Sequence, residues 1–173
     1  MALSRQLDKH HIIFINRMFP MRIREEKVSR YSVIFGVGGN VGDVRRRLNH
    51  LWIYLSRFSQ LQRVQTGVIL KNPPFGYTKQ PDFFNTVIEI ATSLQPRALL
   101  RLVWRIEKHF GRVRSFPNAP RTLDLDILFF DNRSIHYPEL TIPHPHWSSR
   151  TSVKIPLRSM NRTFRRQYEN FNV

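Results

Sequence analysis

The chain has 173 residues, enough for one ordinary domain with a sizeable core and short for two. Its content of 41% hydrophobic and 23% charged residues excludes a disordered chain, and the absence of cysteine excludes disulfides, thiolate metal sites and cysteine nucleophiles. Twenty-eight Lys and Arg against 12 Asp and Glu give a net charge of +16, so an anionic partner is expected. Nucleic acid, a membrane surface and a polyphosphate all fit, and a basic proteome would explain the same charge.

Residues 1–30 are predicted to form a basic N-terminal extension around an apolar patch from Ile12 to Met21. The patch favours a segment that packs loosely or pairs as an edge element, and a disordered arm is the alternative. Ile12–Ile15 is too short for the core of a signal peptide, and no segment reaches the ~18 apolar residues of a membrane span. We therefore expect a cytoplasmic protein without a membrane partner.

The first half of the central region predicts three strands and a helix. Tyr31–Val37 is a β-branched and aromatic run that ends at glycines, which is typical of a strand. Asp43 then stands at the N-cap position of a helix with apolar residues at helical spacing. A second strand is predicted at about 61–70 and a third at Phe83–Thr92, separated by a Pro-rich loop.

The second half predicts another helix and a fourth strand. Pro96 suits the first turn of the helix, and Gly111 suits a left-handed cap at its end. A basic loop leads to a strand at Leu123–Phe130. The order β-α-β-β-α-β predicts an α+β fold of the ferredoxin-like type, a four-stranded antiparallel sheet with both helices on one face and extra terminal elements. The domain is predicted to span 31–160, followed by a basic tail at 161–173.

Two aspartates on the fourth strand are the leading candidates for chemistry. Asp124 and Asp126 are two residues apart, so their side chains leave the same face of the strand, while Leu123, Leu125 and Ile127 point to the core. Paired carboxylates repel unless a cation lies between them, and Mg²⁺ prefers such oxygen ligands together with substrate phosphates. A solvated sheet face with two exposed aspartates is the alternative.

Arginines surround this pair in the sequence. Arg112 and Arg114 follow the second helix, and Arg121 precedes Asp124 by three residues. An arginine fork binds phosphate oxygens bidentately and stabilises the charge that moves during phosphoryl transfer. The combination indicates a polyphosphate site, although an unrelated basic loop would show the same residues.

Motifs in five parts of the chain together resemble one known family. They are Gly36–Asp43, Pro73–Gly76, Gln80–Asn85, Gly111–Arg114 with Ala119–Leu128, and Leu140–Pro145 with Arg150. In their order and near their spacing they closely resemble 6-hydroxymethyl-7,8-dihydropterin pyrophosphokinases. The resemblance implies transfer of pyrophosphate from ATP to the pterin hydroxymethyl group, with release of AMP, in folate biosynthesis.

The resemblance also implies roles for individual residues. Asp124 and Asp126 match the family's metal ligands, which hold two Mg²⁺ ions on the triphosphate, and Arg112 and Arg121 match catalytic arginines near the phosphates. The residues implied on the ATP side are Arg114, His144 and Arg150. The residues implied on the pterin side are Pro73, Pro74, Phe75, Phe83 and Asn85. We expect a monomer that acts on small molecules.

The chain departs from the family where the pterin should stack. The loop before Pro120 lacks a tryptophan, for which Phe116 is the candidate substitute, and Ala119 replaces a commoner glycine. Thr151 and Ser152 stand where many members carry an aromatic residue. The pterin clamp is therefore the part that the motifs predict least.

An RNA-recognition module is the main alternative, since the element order and the charge of +16 would fit it. The segment 110–114 does not match its aromatic signature, and two aspartates on a sheet strand would repel a nucleic-acid backbone. No nucleic-acid partner is therefore expected. An inactive relative kept for interaction is a third possibility, against which the retained aspartates and arginines argue. His144 and His146 lack the further ligands that zinc needs.

Overall fold

A computed structural model of the chain describes residues 3–23, 31–113 and 116–160. In these ranges the protein has a mixed α+β fold, as expected. Its strands are β1 (Leu3–Gln6), β2 (Ile12–Ile15), β3 (Met21–Arg22), β4 (Tyr31–Gly39), β5 (Leu61–Thr66), β6 (Ile69–Asn72), β7 (Phe83–Thr92), β8 (Asp124–Phe130), β9 (Ile135–Tyr137) and β10 (Leu140–Ile142). Its helices are α1 (Val44–Tyr54), α2 (Pro96–His109) and α3 (Thr151–Arg158).

Eight of these strands form one sheet. Its main path is β1-β2-β6-β7-β4-β8, and β5 joins it by pairing with both β7 and β3. All pairs in the sheet are antiparallel. The sheet is larger than the expected four strands, because β5 and β6 stand where one strand was predicted and the N-terminal strands pair with them, as the edge-element alternative expected. β9 and β10 form a separate hairpin that the sequence analysis did not predict.

Helices α1 and α2 cover one face of the sheet. Val33 and Phe35 of β4 belong to one buried cluster with Leu48 of α1, Val103 of α2 and Leu125 of β8. Side chains alternate across a strand, so the odd-numbered residues of β4, and Leu125 and Ile127 of β8, face these helices. Each fully buried side chain of this size contributes about 1.5–3 kcal/mol through its removal from water.

Helix α3 packs on the opposite face, which the expectation of both helices on one face did not include. Ile34, Val87 and Leu128 of the sheet form a second buried cluster with Val153 and Leu157 of α3. The two clusters give the sheet a hydrophobic layer on each side. The part of the second face that α3 leaves uncovered carries the polar residues described below.

The predicted strand at 61–70 is divided into β5 and β6 near Gly67. A β-carbon on Gly67 would lie 2.5 Å from the backbone oxygen of Pro156 in α3. The chain therefore passes close to the helix at this point, which only glycine permits. The single-strand prediction was wrong because this contact joins segments about 90 residues apart.

The predicted helix boundaries are confirmed. The carboxylate of Asp43 accepts a hydrogen bond of 3.1 Å from the backbone N–H of Arg46 and caps α1, a contact worth about 1 kcal/mol. Pro96 is the first residue of α2, and Gly111 follows its end with φ +75°.

The described part of the N-terminal extension pairs with the sheet. β2 pairs with β6, β3 pairs with β5, and Phe19 between them is fully buried. Residues 24–30 and the basic tail at 161–173 lie outside the described residues, and the domain boundaries at 31 and 160 stay predictions. No helix in the described ranges is long and apolar enough to cross a membrane.

Candidate active site

Strand register places the two aspartates on the sheet face that α1 and α2 leave free. In the antiparallel ladder Asp124 lies opposite Gly38 of β4, and Asp126 lies opposite Gly36. Leu125 between them is buried in the cluster with the helices. The predicted direction of both carboxylates is confirmed, and glycine partners keep side chains of β4 away from them.

Gly38 also makes room for an amide on its other side. It pairs with Asn85 of β7, and a β-carbon on Gly38 would lie 2.1 Å from the Asn85 Oδ1 atom. The Asn85 Nδ2 atom donates a hydrogen bond of 2.7 Å to the Oδ1 atom of Asn72 on β6. Asn85 and Asp124 therefore lie on strands that flank β4, about 10 Å apart at the usual strand spacing.

These residues border a cavity of about 540 Å³, a volume typical of small-molecule sites. It contains both predicted metal ligands, all five predicted pterin residues and two of the predicted arginines. Those lining residues are Asp124, Asp126, Pro73, Pro74, Phe75, Phe83, Asn85, Arg121 and Arg150. The structure thus brings together nine of the twelve residues that the sequence analysis singled out.

Asp124 is held by two arginines. The Arg112 Nη1 atom lies 2.5 Å from Asp124 Oδ1, and the Arg121 Nη1 atom lies 2.9 Å from Asp124 Oδ2. Arg112 also pairs with Glu107, whose Oε1 atom accepts a hydrogen bond of 2.9 Å from the backbone N–H of Leu125. Buried Glu107, which the sequence analysis did not identify, thus connects the end of α2 to the start of β8.

Arg121 has a further donor that faces no partner. Its guanidinium lies 5.1 Å from the centre of the Phe83 ring, and its Nε atom is buried without a hydrogen bond among the described residues. Asn40 holds the backbone, because its Oδ1 atom accepts a hydrogen bond of 2.9 Å from the Arg121 N–H. A half-buried guanidinium whose buried Nε donor is unused at a cavity wall favours an anionic ligand.

Asp126 lies in a different electrostatic environment. Burial first, and then the negative charges of Asp124 and Glu107, raise the pKa of Asp126 to about 7, against the opposing effect of Arg150 and Arg112. A cation between the carboxylates would remove this penalty. The described ranges contain no group of three or more potential metal-ligating side chains, so the two aspartates would need phosphate and water oxygens to complete a shell. Mg²⁺ takes such a shell, so the donor set fits this ion.

The remaining predicted residues lie elsewhere. Arg112 lines a neighbouring cavity of about 330 Å³, which shares Arg121 with the larger one. His146 rather than His144 lines the larger cavity, and Arg114 lies outside the described residues.

His144 is half-buried beside the cavity. Burial lowers the pKa of His144, and the positive Arg150 and the neighbouring His146 lower it further, so its ring is neutral at pH 7. Its Nδ1 atom accepts a hydrogen bond of 3.3 Å from the backbone N–H of His146. His144 is therefore suited to accept rather than donate at this nitrogen.

The expected aromatic substitute does not line the larger cavity. Phe116 is half exposed and contacts the Tyr77 ring edge-on, with the ring centres 5.6 Å apart. The lining residues that were not predicted include His11 from the N-terminal hairpin and Asn72 at the end of β6. Asn72 stands just before the Pro-Pro loop, a position that could have suggested it, whereas no local signal marks His11.

Comparison with known proteins agrees with these observations. Residues 34–162 match the model of the family described as 7,8-dihydro-6-hydroxymethylpterin-pyrophosphokinase. A Helicobacter pylori protein named 2-amino-4-hydroxy-6-hydroxymethyldihydropteridine pyrophosphokinase is 40% identical over 147 residues, which are 84% of this chain and 90% of that protein. Proteins of the same name from Campylobacter jejuni and Bacillus subtilis are 34% and 37% identical, over 82% and 70% of this chain and 90% and 72% of their own. The chain therefore belongs to the 7,8-dihydro-6-hydroxymethylpterin-pyrophosphokinase family.

Proposed function

We propose that the reaction of this family takes place at this cavity. The residues that would bind the phosphates are Asp124, Asp126, Arg112 and Arg121. Those that would bind the pterin are Asn85 and Phe83. As a family member, the chain is an enzyme of folate biosynthesis that transfers pyrophosphate from ATP to 6-hydroxymethyl-7,8-dihydropterin. The observation that carries the residue assignment is the register of three strands. Asn85 and Asp124 lie on either side of Gly38, about 10 Å apart at the usual strand spacing. A heterocycle bound at Asn85 would therefore lie next to phosphates bound at Asp124.

Asp124 and Asp126 are the proposed ligands of two Mg²⁺ ions. When bound, such ions would neutralise the triphosphate and the charge that develops on the departing AMP. The raised pKa of Asp126 supports this assignment, because a cation relieves the repulsion that raises it. Two carboxylates that also share phosphate oxygens are a usual protein contribution to a Mg²⁺ site.

Arg112 and Arg121 are the proposed catalytic arginines. Both contact Asp124, which keeps them within one side-chain length of the proposed position of the phosphates. Each would exchange this carboxylate for phosphate oxygens, and the buried Nε atom of Arg121 would then gain a partner. Arg114, His144 and Arg150 remain the proposed contacts on the ATP side.

Pyrophosphate transfer then depends mainly on position and charge. The pterin hydroxyl oxygen attacks the β-phosphorus of ATP in line, and the bond from that phosphorus to the α-phosphate oxygen breaks to release AMP. No side chain has to act as a strong general base, since holding the hydroxyl near the phosphorus and stabilising the charge supply the rate. β4 pairs in regular register with β7 at Asn85 and with β8 at Asp124, so this distance is set by the sheet.

The finer features of the fold and assembly are part of the proposal. With the extension set aside, the strand order β8-β4-β7-β5 and the position of α1 and α2 on one face support the ferredoxin-like arrangement. We propose that the enzyme acts as a monomer in the cytoplasm. A sedimentation experiment that showed a stable dimer would contradict the proposed monomer.

The test is AMP release from ATP in the presence of Mg²⁺ and the reduced hydroxymethylpterin. The wild-type protein should release AMP only with all three present, and Asp126→Ala should lower turnover by about 10³-fold or more while its circular dichroism is unchanged. Glu139→Gln is the matched control, because Glu139 pairs with Arg97 away from the cavity. Full turnover in the Asp126 variant would remove the metal assignment.

A further inference from the structure

The N-terminal hairpin (Leu3–Ile15) brings a residue to the cavity from outside the region that matches the family. The matched region begins at residue 34, whereas His11 in the turn of the hairpin lines the cavity. β2 pairs with β6 so that Ile12 lies opposite Lys71. In this antiparallel register His11 comes beside Asn72, the acceptor for the Asn85 amide.

Asp8 holds the His11 ring in one orientation. The Nδ1 atom of His11 lies 2.8 and 2.9 Å from the two carboxylate oxygens of Asp8. The backbone N–H groups of His10 and His11 donate to the same carboxylate at 2.8 and 3.0 Å. Because Nδ1 serves Asp8, the nitrogen left for a ligand is Nε2, which has no hydrogen-bond partner among the described residues.

The position of His11 relates it to the pterin and not to the phosphates. β2 and β8 are separated by β6, β7 and β4, so four strand spacings of about 4.8 Å place His11 roughly 19 Å from the line of Asp124 and Asp126. Its neighbours in the wall are instead Asn72 and Asn85. A pterin presents several N–H groups and a carbonyl at the edge of its ring, which suits a wall of amides and one imidazole.

We propose that His11 binds the heterocycle of the pterin substrate through Nε2 and helps to determine its specificity, with Asp8 as a positioning residue. This inference rests on the proposed function of the cavity. The Asp8–His11 pair itself contributes little to the fold, because it lies at the surface between residues three apart. Removing the imidazole should therefore change substrate binding without unfolding the protein.

The first experiment compares steady-state kinetics of the wild type, His11→Ala, His11→Gln and His10→Ala. His11→Ala should raise the KM for the pterin about tenfold and leave the KM for ATP and kcat within about twofold. His11→Gln should recover most of the loss, because its amide can donate or accept near the position of Nε2. His10 is the matched control in the same turn, since its side chain is exposed and does not line the cavity.

The second experiment tests the positioning role of Asp8. Asp8→Ala should raise the pterin KM by a smaller factor than His11→Ala does, and the double variant should equal His11→Ala alone, since both act through one contact. Additive effects of the two substitutions would contradict this role.

The decisive outcomes separate this inference from the proposed function. An unchanged pterin KM in His11→Ala, an equal rise in both KM values, or the same effect in His10→Ala would overturn it. A wild-type protein that releases no AMP contradicts the proposed function instead. In that case the role of His11 is tested by calorimetric titration with the pterin, in the presence of Mg²⁺ and a non-transferable ATP analogue. Weaker binding of the pterin by His11→Ala than by the wild type supports the role. Equal binding contradicts it.

Discussion

The proposed phosphate half and the proposed pterin half of the cavity are built differently. The phosphate half consists of Asp124 and Asp126 on one regular strand, with Arg112 and Arg121 in ion pairs with Asp124. The pterin half combines Phe83 and Asn85 of β7 with loop and edge residues that include Phe75, which is 84% exposed, and His11 from the hairpin. Strand register and charge pairing preorganise the first half, whereas the second depends on segments that pack at the edge of the sheet.

This difference predicts which half of the site tolerates changes of sequence. Moving an aspartate of β8 by one residue would turn it into the core, so the phosphate half tolerates no change of register. Edge strands and loops accept insertions and new side chains at small cost, and the N-terminal hairpin is such an addition. Specificity for the pterin is therefore expected to differ among relatives more than the use of ATP.

Loss of Arg121 is the most severe of the three changes that test this comparison. Arg121→Ala should lower kcat by about 10² to 10³-fold and leave the pterin KM nearly unchanged, because the guanidinium would stabilise the negative charge of the phosphates in the transition state. Arg121→Lys should remain impaired, since lysine keeps the charge but not the planar fork. Steady-state kinetics with each substrate varied measure both values.

Arg133→Ala is the control for this change. Arg133 stacks 4.6 Å from the centre of the Tyr31 ring and does not line the cavity, so its removal should leave kcat unaffected. A large loss of pterin affinity in Arg121→Ala would show that the two halves are not separate.

A methyl group on Gly38 should disturb the pterin half from within the sheet. The new β-carbon in Gly38→Ala would lie 2.1 Å from Asn85 Oδ1, so the amide must turn away and lose its 2.7 Å bond to Asn72. We expect kcat/KM for the pterin to fall by about 10 to 100-fold, with a smaller change for ATP. Gly36→Ala is the comparison in the same strand, because its β-carbon would meet the Leu128 side chain at 3.2 Å and Gly36 lies opposite Asp126 rather than beside Asn85, so it should leave the pterin contact in place. Equal losses in both variants would assign the effect to strand distortion.

Substitution of the two aspartates by asparagine should change the free energy of unfolding in opposite directions. The pKa of Asp126 is raised from 3.8 to about 7, mainly by burial, so the folded protein binds more protons than the unfolded chain between these pH values. Its stability therefore falls as pH rises through this window, and the full penalty applies at pH 8. Asp126→Asn removes the charge and should raise the free energy of unfolding by about 1–3 kcal/mol at pH 8, with no gain near pH 4.

Asp124→Asn is the contrasting variant. Its substitution leaves Arg112 and Arg121 without their shared carboxylate, so it should destabilise the metal-free protein at pH 8. Urea unfolding of both variants at pH 5 and pH 8 measures the difference. A loss of stability in Asp126→Asn at pH 8 would contradict the environment described for that carboxylate.

Much of the fold follows from local rules. The cap at Asp43, the start of α2 at Pro96 and the left-handed Gly111 were predicted because each depends on residues within one helical turn. The direction of Asp124 and Asp126 follows from alternation along a single strand. The division of the strand at Gly67 and the hairpin β9–β10 were missed, since the first depends on a distant helix and the second is short.

By itself the sequence determined the family, the candidate metal ligands Asp124 and Asp126, and the central order of strands and helices. Each of these depends on the identity of residues and on spacing along one segment. Tertiary structure alone decided that Gly38 separates Asn85 from Asp124, that Glu107 and Arg112 meet at β8, and that His11 lines the cavity. These contacts join residues far apart in the chain, and their geometry exists only when strand pairing and helix packing have set the distance between segments.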